Sequence, residues 1–430
     1  MSSDIEGKGQ IIRPFIVFTA IFLLLGSFIG SIWLVSISTL NFPFLIGHTT
    51  IFSLHEAFQM DTALTLLVMG IGFMIIPRFR NVPIGSTSII KASFLMVITS
   101  AVLSSVPVIH TFGFPANENI FTISSTTRLI GVLLFTFKVI DTLRIKPRLL
   151  RISDYFIGFS TICLLITSIL DLLQVKGNPL ANVEIQLLFP LTMIFGIQYK
   201  TLPAFLGFIR PKKKSSIITF LLLLSAFLVG IVSKTETYTN VDDIVFNILL
   251  LSSAFTFSFS VFLYSTYENK KYLLQSSGEK RTRYFYTLNH TRIAFYFLFI
   301  GIVFGILYHI DTNNKFVFYD LCIHLVAIGF IGITIASYLP MMLPPILGKK
   351  INFLKFSRIP LILIVFSLFL RSIGMMLTVF YDSSSSSDGG GGGGSYIISL
   401  SLGILPSISG FILIAAIIIY MRMIHKSLEK

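Results

Sequence analysis

Twelve apolar segments of about 20 residues dominate this chain of 430 residues. A helix of that length spans the hydrocarbon core of a bilayer, where every backbone polar group must find its partner within the protein. The sequence therefore predicts an all-α polytopic membrane protein with about twelve transmembrane helices, forming a single transmembrane domain over residues 1–430. The predicted helices cover residues 14–38, 50–76, 88–110, 120–140, 152–172, 183–203, 215–233, 243–265, 289–309, 317–340, 358–381 and 396–422.

Composition excludes the soluble classes of protein. Hydrophobic residues make up 54% of the chain and charged residues only 12%, whereas a soluble domain carries about 25% charged residues. Both cysteines, Cys163 and Cys322, lie in apolar segments, so a disulfide framework is not expected. The first apolar run is too long for a signal peptide, and we interpret it as a retained first span.

Lysine and arginine alternate between loops and orient the bundle. The connections between the helices are alternately rich in basic residues and almost free of them, and the rich ones lie at 78–80, 144–151, 210–214, 270–283 and 349–358. The positive-inside rule places these loops and both termini in the cytoplasm. The net charge of +14 therefore indicates orientation against anionic lipid, and no nucleic-acid partner is expected. We expect a multi-pass protein of the cell membrane surrounded by membrane lipid.

One connection has low complexity. Residues 383–395 consist almost entirely of serine and glycine, a composition typical of flexible linkers. The sequence predicts a flexible external loop here, between helices 11 and 12, that carries no chemistry.

A faint repeat links helices 2, 6 and 10. In each, a glycine precedes a terminal proline by about two turns, as in Gly70 before Pro77, Gly196 before Pro203, and Gly329 and Gly332 before Pro340. This spacing is compatible with three quasi-repeated four-helix groups. It is also compatible with the general frequency of glycine and proline near the ends of membrane helices.

Five of the seven histidines fall on the predicted external side, and these are His48, His55, His110, His309 and His324. His55 and His324 lie inside the second and tenth spans at similar depth, and ionisable residues within a membrane are functional by default. Two interpretations stay open for this pair: axial ligands of one haem iron, or buried imidazoles hydrogen-bonded to neighbouring helices. The other three histidines are candidates for a second metal site at the outer face, or they simply lie at the interface.

Several charged residues in the spans suit a haem site. Arg371 and Arg128 could bind the carboxylates of haem propionates, although Arg128 could equally extend to the membrane interface. Asp320 precedes His324 by one helical turn and could orient its imidazole through a hydrogen bond.

Two segments carry a family resemblance. The run IFSLHEAFQMDTALTLLVMGIGFMIIPRF from Ile51 resembles the second helix of the main subunit of haem–copper oxidases and nitric oxide reductases, and its His-Glu pair resembles the NnrS family of nitric-oxide-response membrane proteins. The run CIHLVAIGFIGITIASYLP from Cys322 is similar to the tenth helix of both families. The resemblance implies haem b held by His55 and His324, copper as a further cofactor, and a role in electron transfer or in nitric oxide or oxygen respiration. It also implies a respiratory partner subunit or an external electron donor.

The chain departs from the oxidase pattern at the catalytic centre. Cys322 stands where an oxidase has the first histidine of helix 10, helix 6 offers Gln198 and Tyr199, and helix 7 has no histidine. The usual catalytic centre therefore looks incomplete, and no catalytic residues are assigned. The competing interpretation is a twelve-helix secondary transporter without haem, which leaves the histidine pattern unexplained and disagrees with the short loop between helices 6 and 7.

Overall fold

The computed structural model describes residues 10–39, 48–110, 119–145, 150–173, 179–206, 210–233, 240–265, 277–311, 313–385 and 394–428. These residues form twelve long helices, one for each predicted span: α1 Arg13–Thr39; α2 His48–Glu56, Ala57–Leu64 and Thr65–Arg80; α3 Thr87–His110; α4 Ile120–Arg144; α5 Ile152–Leu172; α6 Pro179–Leu206; α7 Lys213–Val232; α8 Asn240–Ser260; α9 Gly278–Ile310; α10 Lys315–His324, Leu325–Gly332 and Ile333–Met342; α11 Ile359–Ser385; and α12 Gly394–Ser427. A short helix, Pro344–Leu347, follows α10. No β-strand occurs among the described residues.

Eleven of the twelve helices are long and apolar enough to cross a membrane. The remaining helix, α6, carries Glu184, Gln198 and Lys200 along its length, which makes it more polar than the others. Glu184 and Gln198 are buried inside the bundle. The chain is therefore a multi-pass membrane protein, and the prediction of an all-helical fold with about twelve spans is confirmed.

The helices differ from the predicted segments mainly at their ends. Helix α9 begins at Gly278, eleven residues before the predicted start, because a charged stretch outside the apolar window continues the same helix. The prolines of the repeat lie inside the last turn of their helices rather than at the final residue. Thus α2, α6 and α10 end within three residues of Pro77, Pro203 and Pro340.

The predicted serine–glycine loop is shortened from both sides by helix. Helix α11 continues to Ser385 and α12 begins at Gly394. The central part of the predicted loop, residues 386–393, lies outside the described residues, so its flexibility stays a prediction.

Glycines bring α1, α2, α11 and α12 into close contact. A Cβ atom on Gly410 of α12 would overlap the Ser31 hydroxyl of α1, and one on Gly374 of α11 would lie 2.5 Å from a ring carbon of Pro406 in α12. Small residues at such points allow helix backbones to approach. Together with α10, these helices enclose an elongated cavity that contains the candidate site.

Two helices contain a π-helical segment at corresponding positions. Ala57–Leu64 begins two residues after His55, and Leu325–Gly332 begins directly after His324; each segment is eight residues long. A π-helix has a wider turn than an α-helix, is rare, and occurs frequently at functional sites. The wider turns alter which side chains of α2 and α10 face the cavity below the two histidines.

Candidate functional site

His55 and His324 face each other across the cavity. Their ring centres are 6.4 Å apart and their planes are inclined by only 16°. Two imidazoles bound on opposite sides of one iron, each by a bond of about 2.0 Å and each with its ring centre about 1.1 Å beyond the nitrogen, place their centres about 6.2 Å apart. The observed spacing thus suits two axial ligands of a single iron.

Hydrogen bonds fix the same tautomer in both imidazoles. Nδ1 of His55 lies 2.7 Å from the carbonyl oxygen of Gly26, and Nδ1 of His324 lies 2.8 Å from that of Asp320. Because a carbonyl oxygen can only accept, each Nδ1 carries the hydrogen and donates it. Each Nε2 consequently keeps its lone pair, which is the form of imidazole that binds a metal.

A glycine groove on α1 receives the His55 side of the site. A Cβ atom on Gly30 would lie 2.6 Å from the His55 ring, and one on Gly26 would lie 2.8 Å from the side chain of Gln59. Gln59 also donates a hydrogen bond of 3.1 Å to the carbonyl of Leu23. Our reasoning from the sequence missed these glycines, although their spacing of four residues in an apolar helix is a known signal of close helix approach.

A buried ion pair supports the His324 side. Arg371 of α11 donates two hydrogen bonds to the Asp320 carboxylate, of 2.7 Å from Nε and 2.5 Å from Nη2. An Asp320 oxygen also lies 3.3 Å from Nδ1 of His324. The side chains of Asp320 and Arg371 are only 4% and 9% exposed, so each charge depends on the other. The pair links α10 to α11 directly beside the imidazole.

The charged and imidazole side chains of the lining lie at one end of the cavity, which we call the histidine end. This end contains the two histidines, with Asp320, Arg371 and Glu56 around them. An aromatic group also lines this end, in which Trp33 packs on Phe52 at 5.2 Å and on Phe316 at 6.2 Å between ring centres. The rest of the lining is almost entirely apolar.

Arg128 lies in a different place from the histidine pair. Its guanidinium contacts the carboxylates of both Asp61 in α2 and Asp171 in α5. These three residues line a small polar pocket that also includes Thr65 and Ser168. Since Arg128 is not among the residues that line the cavity, its role in binding a propionate stays a prediction without support from this geometry.

The structure brings His309 to a carboxylate. Nδ1 of His309 in α9 lies 3.3 Å from Asp243 of α8, and both side chains are buried. The backbones of His48 and His110 begin α2 and end α3, but their side chains lie outside the described residues. Among the described residues, no group of three or more histidine, cysteine or acidic side chains is arranged to hold a metal ion. The second metal site therefore stays a prediction.

Cys322 lies beside a buried carboxylic acid side chain, that of Glu184. The thiol lies 3.7 Å from a carboxylate oxygen of Glu184 in α6, and both residues are buried.

The space between α6, α8, α9 and α10 is filled by four phenylalanine rings with centres 4.1 to 6.1 Å apart. These are Phe195, Phe257, Phe295 and Phe330, all fully buried. This part of the bundle is an aromatic core.

Comparison with known proteins identifies the fold. No family model matches the sequence, and no curated protein matches it. The cryo-EM structure of a haem–copper terminal oxidase dimer is similar with a TM-score of 0.69 and 14% sequence identity, over 98% of this chain and 84% of that chain. The chain therefore has the fold of a haem–copper oxidase, whereas the resemblance to the NnrS family stays a prediction.

Proposed function

We propose that this protein binds one haem between His55 and His324 and transfers electrons within the membrane. The observation that carries the proposal is the distance of 6.4 Å between two nearly parallel imidazoles, each with its Nδ1 hydrogen bonded to a carbonyl. A haem iron held by these two residues would supply one-electron redox chemistry, and its potential would depend on the hydrogen bonds to His55 and His324 and on their burial.

The protein's own residues have distinct roles in this proposal. His55 and His324 hold the iron, and the groove at Gly30 positions the first ring. Asp320 positions the second ring and balances the charge of Arg371. The aromatic group at Trp33 restricts access of water from the histidine end. Because His55 and His324 would both be used to hold the iron, electron transfer is a simpler role than reaction with oxygen or nitric oxide.

The wider function is proposed from the family resemblance of the two helices that carry the site. We propose a haem protein of NnrS or haem–copper oxidase type, acting in respiration linked to nitric oxide or oxygen, with an external donor or partner subunit supplying electrons. Its termini are proposed to face the cytoplasm of a cell whose plasma membrane holds it. The fold shared with a haem–copper oxidase favours this proposal over a transporter. A copper ion remains a further proposed cofactor without a ligand group among the described residues.

A reduced-minus-oxidised visible spectrum of the purified protein tests the proposal. We expect a sharp low-spin α band from one haem per chain, which His55→Ala and His324→Ala each abolish. His290→Ala is the matched control, because His290 is a buried histidine whose Nδ1 also bonds a carbonyl, that of Tyr286 at 2.7 Å, away from the cavity. A colourless wild-type protein, or equal spectra for all three variants, would contradict the proposal.

A further inference from the structure

Positive charge collects where α5 and α7 begin, at the predicted cytoplasmic end of the bundle. Arg151 directly precedes α5, and Lys212 precedes α7, whose first two residues are Lys213 and Lys214. All four side chains are exposed. In the part of the chain that the structure describes, none of them forms an ion pair. We call these four residues the basic patch.

Packing between α5 and α7 brings the two parts of the patch together. The ring of Phe220 in α7 packs on Tyr155 and Phe156 of α5, with centres 6.2 and 5.4 Å apart. Tyr155 lies four residues, or about 6 Å, beyond Arg151, and Phe220 lies seven residues, or about 10 Å, beyond Lys213. Since both helices start at this end, their basic residues lie within about 5 Å of the same depth.

Nearby acidic residues do not neutralise the patch. Asp154 is only 4% exposed, and it accepts hydrogen bonds from the Arg80 guanidinium at 3.1 Å and from the Arg151 backbone N–H at 2.9 Å. The next two acidic residues along the chain, Asp171 and Glu184, lie at the opposite ends of α5 and α6. The positive charge of the patch therefore faces its surroundings without a protein counter-charge, and clusters of this size beside membrane helices attract anionic lipid.

Apolar side chains cover both helices next to the patch. Ile162 of α5 is 45% exposed, and Leu221 and Leu228 of α7 are 53% and 55% exposed. Tyr155, at the level between this apolar surface and the patch, is 48% exposed, and tyrosine is enriched at the membrane–water interface. A molecule that matches this surface has an anionic head and apolar chains.

We propose that the basic patch binds an anionic phospholipid, whose phosphate contacts Arg151 and the lysines of α7 and whose acyl chains lie along α5 and α7. Arginine suits phosphate oxygens because it can donate two parallel hydrogen bonds, and lysine adds a compact positive charge. A soluble anion such as inorganic phosphate would match the charge but leave the apolar surface unused. The proposal goes beyond the haem site and does not depend on it.

The test removes two charges from the patch by combining Arg151→Gln with Lys213→Gln. The matched control combines Lys355→Gln with Arg358→Gln, which are exposed basic residues between α10 and α11 at the same end of the bundle. Both double variants lose the same charge, so a general attraction to anionic lipid falls equally in both. A basic side chain at an anionic membrane surface contributes about fivefold in affinity, so the patch variant should bind about 25-fold more weakly.

Native mass spectrometry of the purified proteins, mixed with equal amounts of dioleoylphosphatidylglycerol and dioleoylphosphatidylcholine, measures the bound lipid. We expect wild type and the control variant to retain one phosphatidylglycerol per chain in preference to phosphatidylcholine, and the patch variant to lose this preference. Lys213→Gln alone should weaken binding by about fivefold. Inorganic phosphate should displace no more lipid than potassium chloride does at equal ionic strength.

Three results would overturn the proposal. The first is equal retention of the two lipids by wild type, and the second is an equal loss in both double variants. The third is displacement of the lipid by inorganic phosphate but not by potassium chloride, which would assign the patch to a soluble anion. Each of these results leaves the proposed haem site unaffected, because none of the substituted residues lines its cavity.

Discussion

Gly30→Ala is the smallest change that should disturb the proposed iron ligand. The added Cβ atom would lie 2.6 Å from both Nδ1 and Cε1 of His55, whereas an ordinary contact begins at 3.4 Å. The ring must therefore move by about 0.8 Å, and metal–ligand distances tolerate only about 0.2 Å. The ring cannot keep its hydrogen bond of 2.7 Å to Gly26 unchanged while it moves. Perturbing the support of a metal ligand typically weakens binding by about 10- to 100-fold.

The assay is the haem content per chain and the low-spin fraction from the visible spectrum of purified protein. Gly30→Ala should lose at least about four-fifths of the low-spin signal under conditions in which wild type is half-saturated with haem, since binding weakened about 10-fold leaves about 9% of the chains occupied instead of about 50%. Gly332→Ala is the control, since it adds the same methyl group to the wall of the same cavity with no contact under 3.5 Å. Equal low-spin signals from both variants would refute the argument that the groove positions His55.

Three further predictions concern the charged and sulfur-containing residues. Arg371→Met should lower the thermal stability of the purified protein by about 3–5 kcal/mol because it leaves the Asp320 carboxylate buried alone, and adding Asp320→Asn should recover part of the loss. Arg128→Gln should lower stability by about 1–3 kcal/mol in the same assay while the haem spectrum stays unchanged, since Arg128 does not line the cavity. Cys322→His should leave the haem-to-protein ratio at one in a pyridine haemochrome assay, because Cys322 is packed in a buried cluster with Tyr308 and Phe318 and contacts Glu184; a ratio of two would contradict this.

Hydrophobicity predicted the twelve helices because apolar length is a local property of the sequence. The π-helical segments after His55 and His324 could not be predicted in this way, because Ala57–Leu64 and Leu325–Gly332 have no distinctive composition. Their wider turns depend on how α2 and α10 pack against neighbouring helices. The early start of α9 at Gly278 was missed for a different reason, since charged residues continue the helix beyond the apolar window.

The sequence also placed His55 and His324 at similar depths, and the structure brings the two rings together. Depth follows from residue position in a span, but the partner of a charged side chain depends on which helices are neighbours. Arg128 illustrates the limit, because its contacts with Asp61 and Asp171 join α2, α4 and α5, and no local pattern specifies that packing. The spacing of four residues between Gly26 and Gly30 is a local signal of close helix approach. The sequence does not indicate, however, that His55 is the residue that packs against Gly30.

Electron paramagnetic resonance of the oxidised protein, combined with selective ¹⁵N labelling of histidine, tests the central claim most directly. We predict a low-spin ferric signal with hyperfine coupling to nitrogens of two histidines, and loss of one coupling in either His55→Ala or His324→Ala. A high-spin signal, or coupling to a single histidine that survives both substitutions, would contradict the claim that these two imidazoles share one iron.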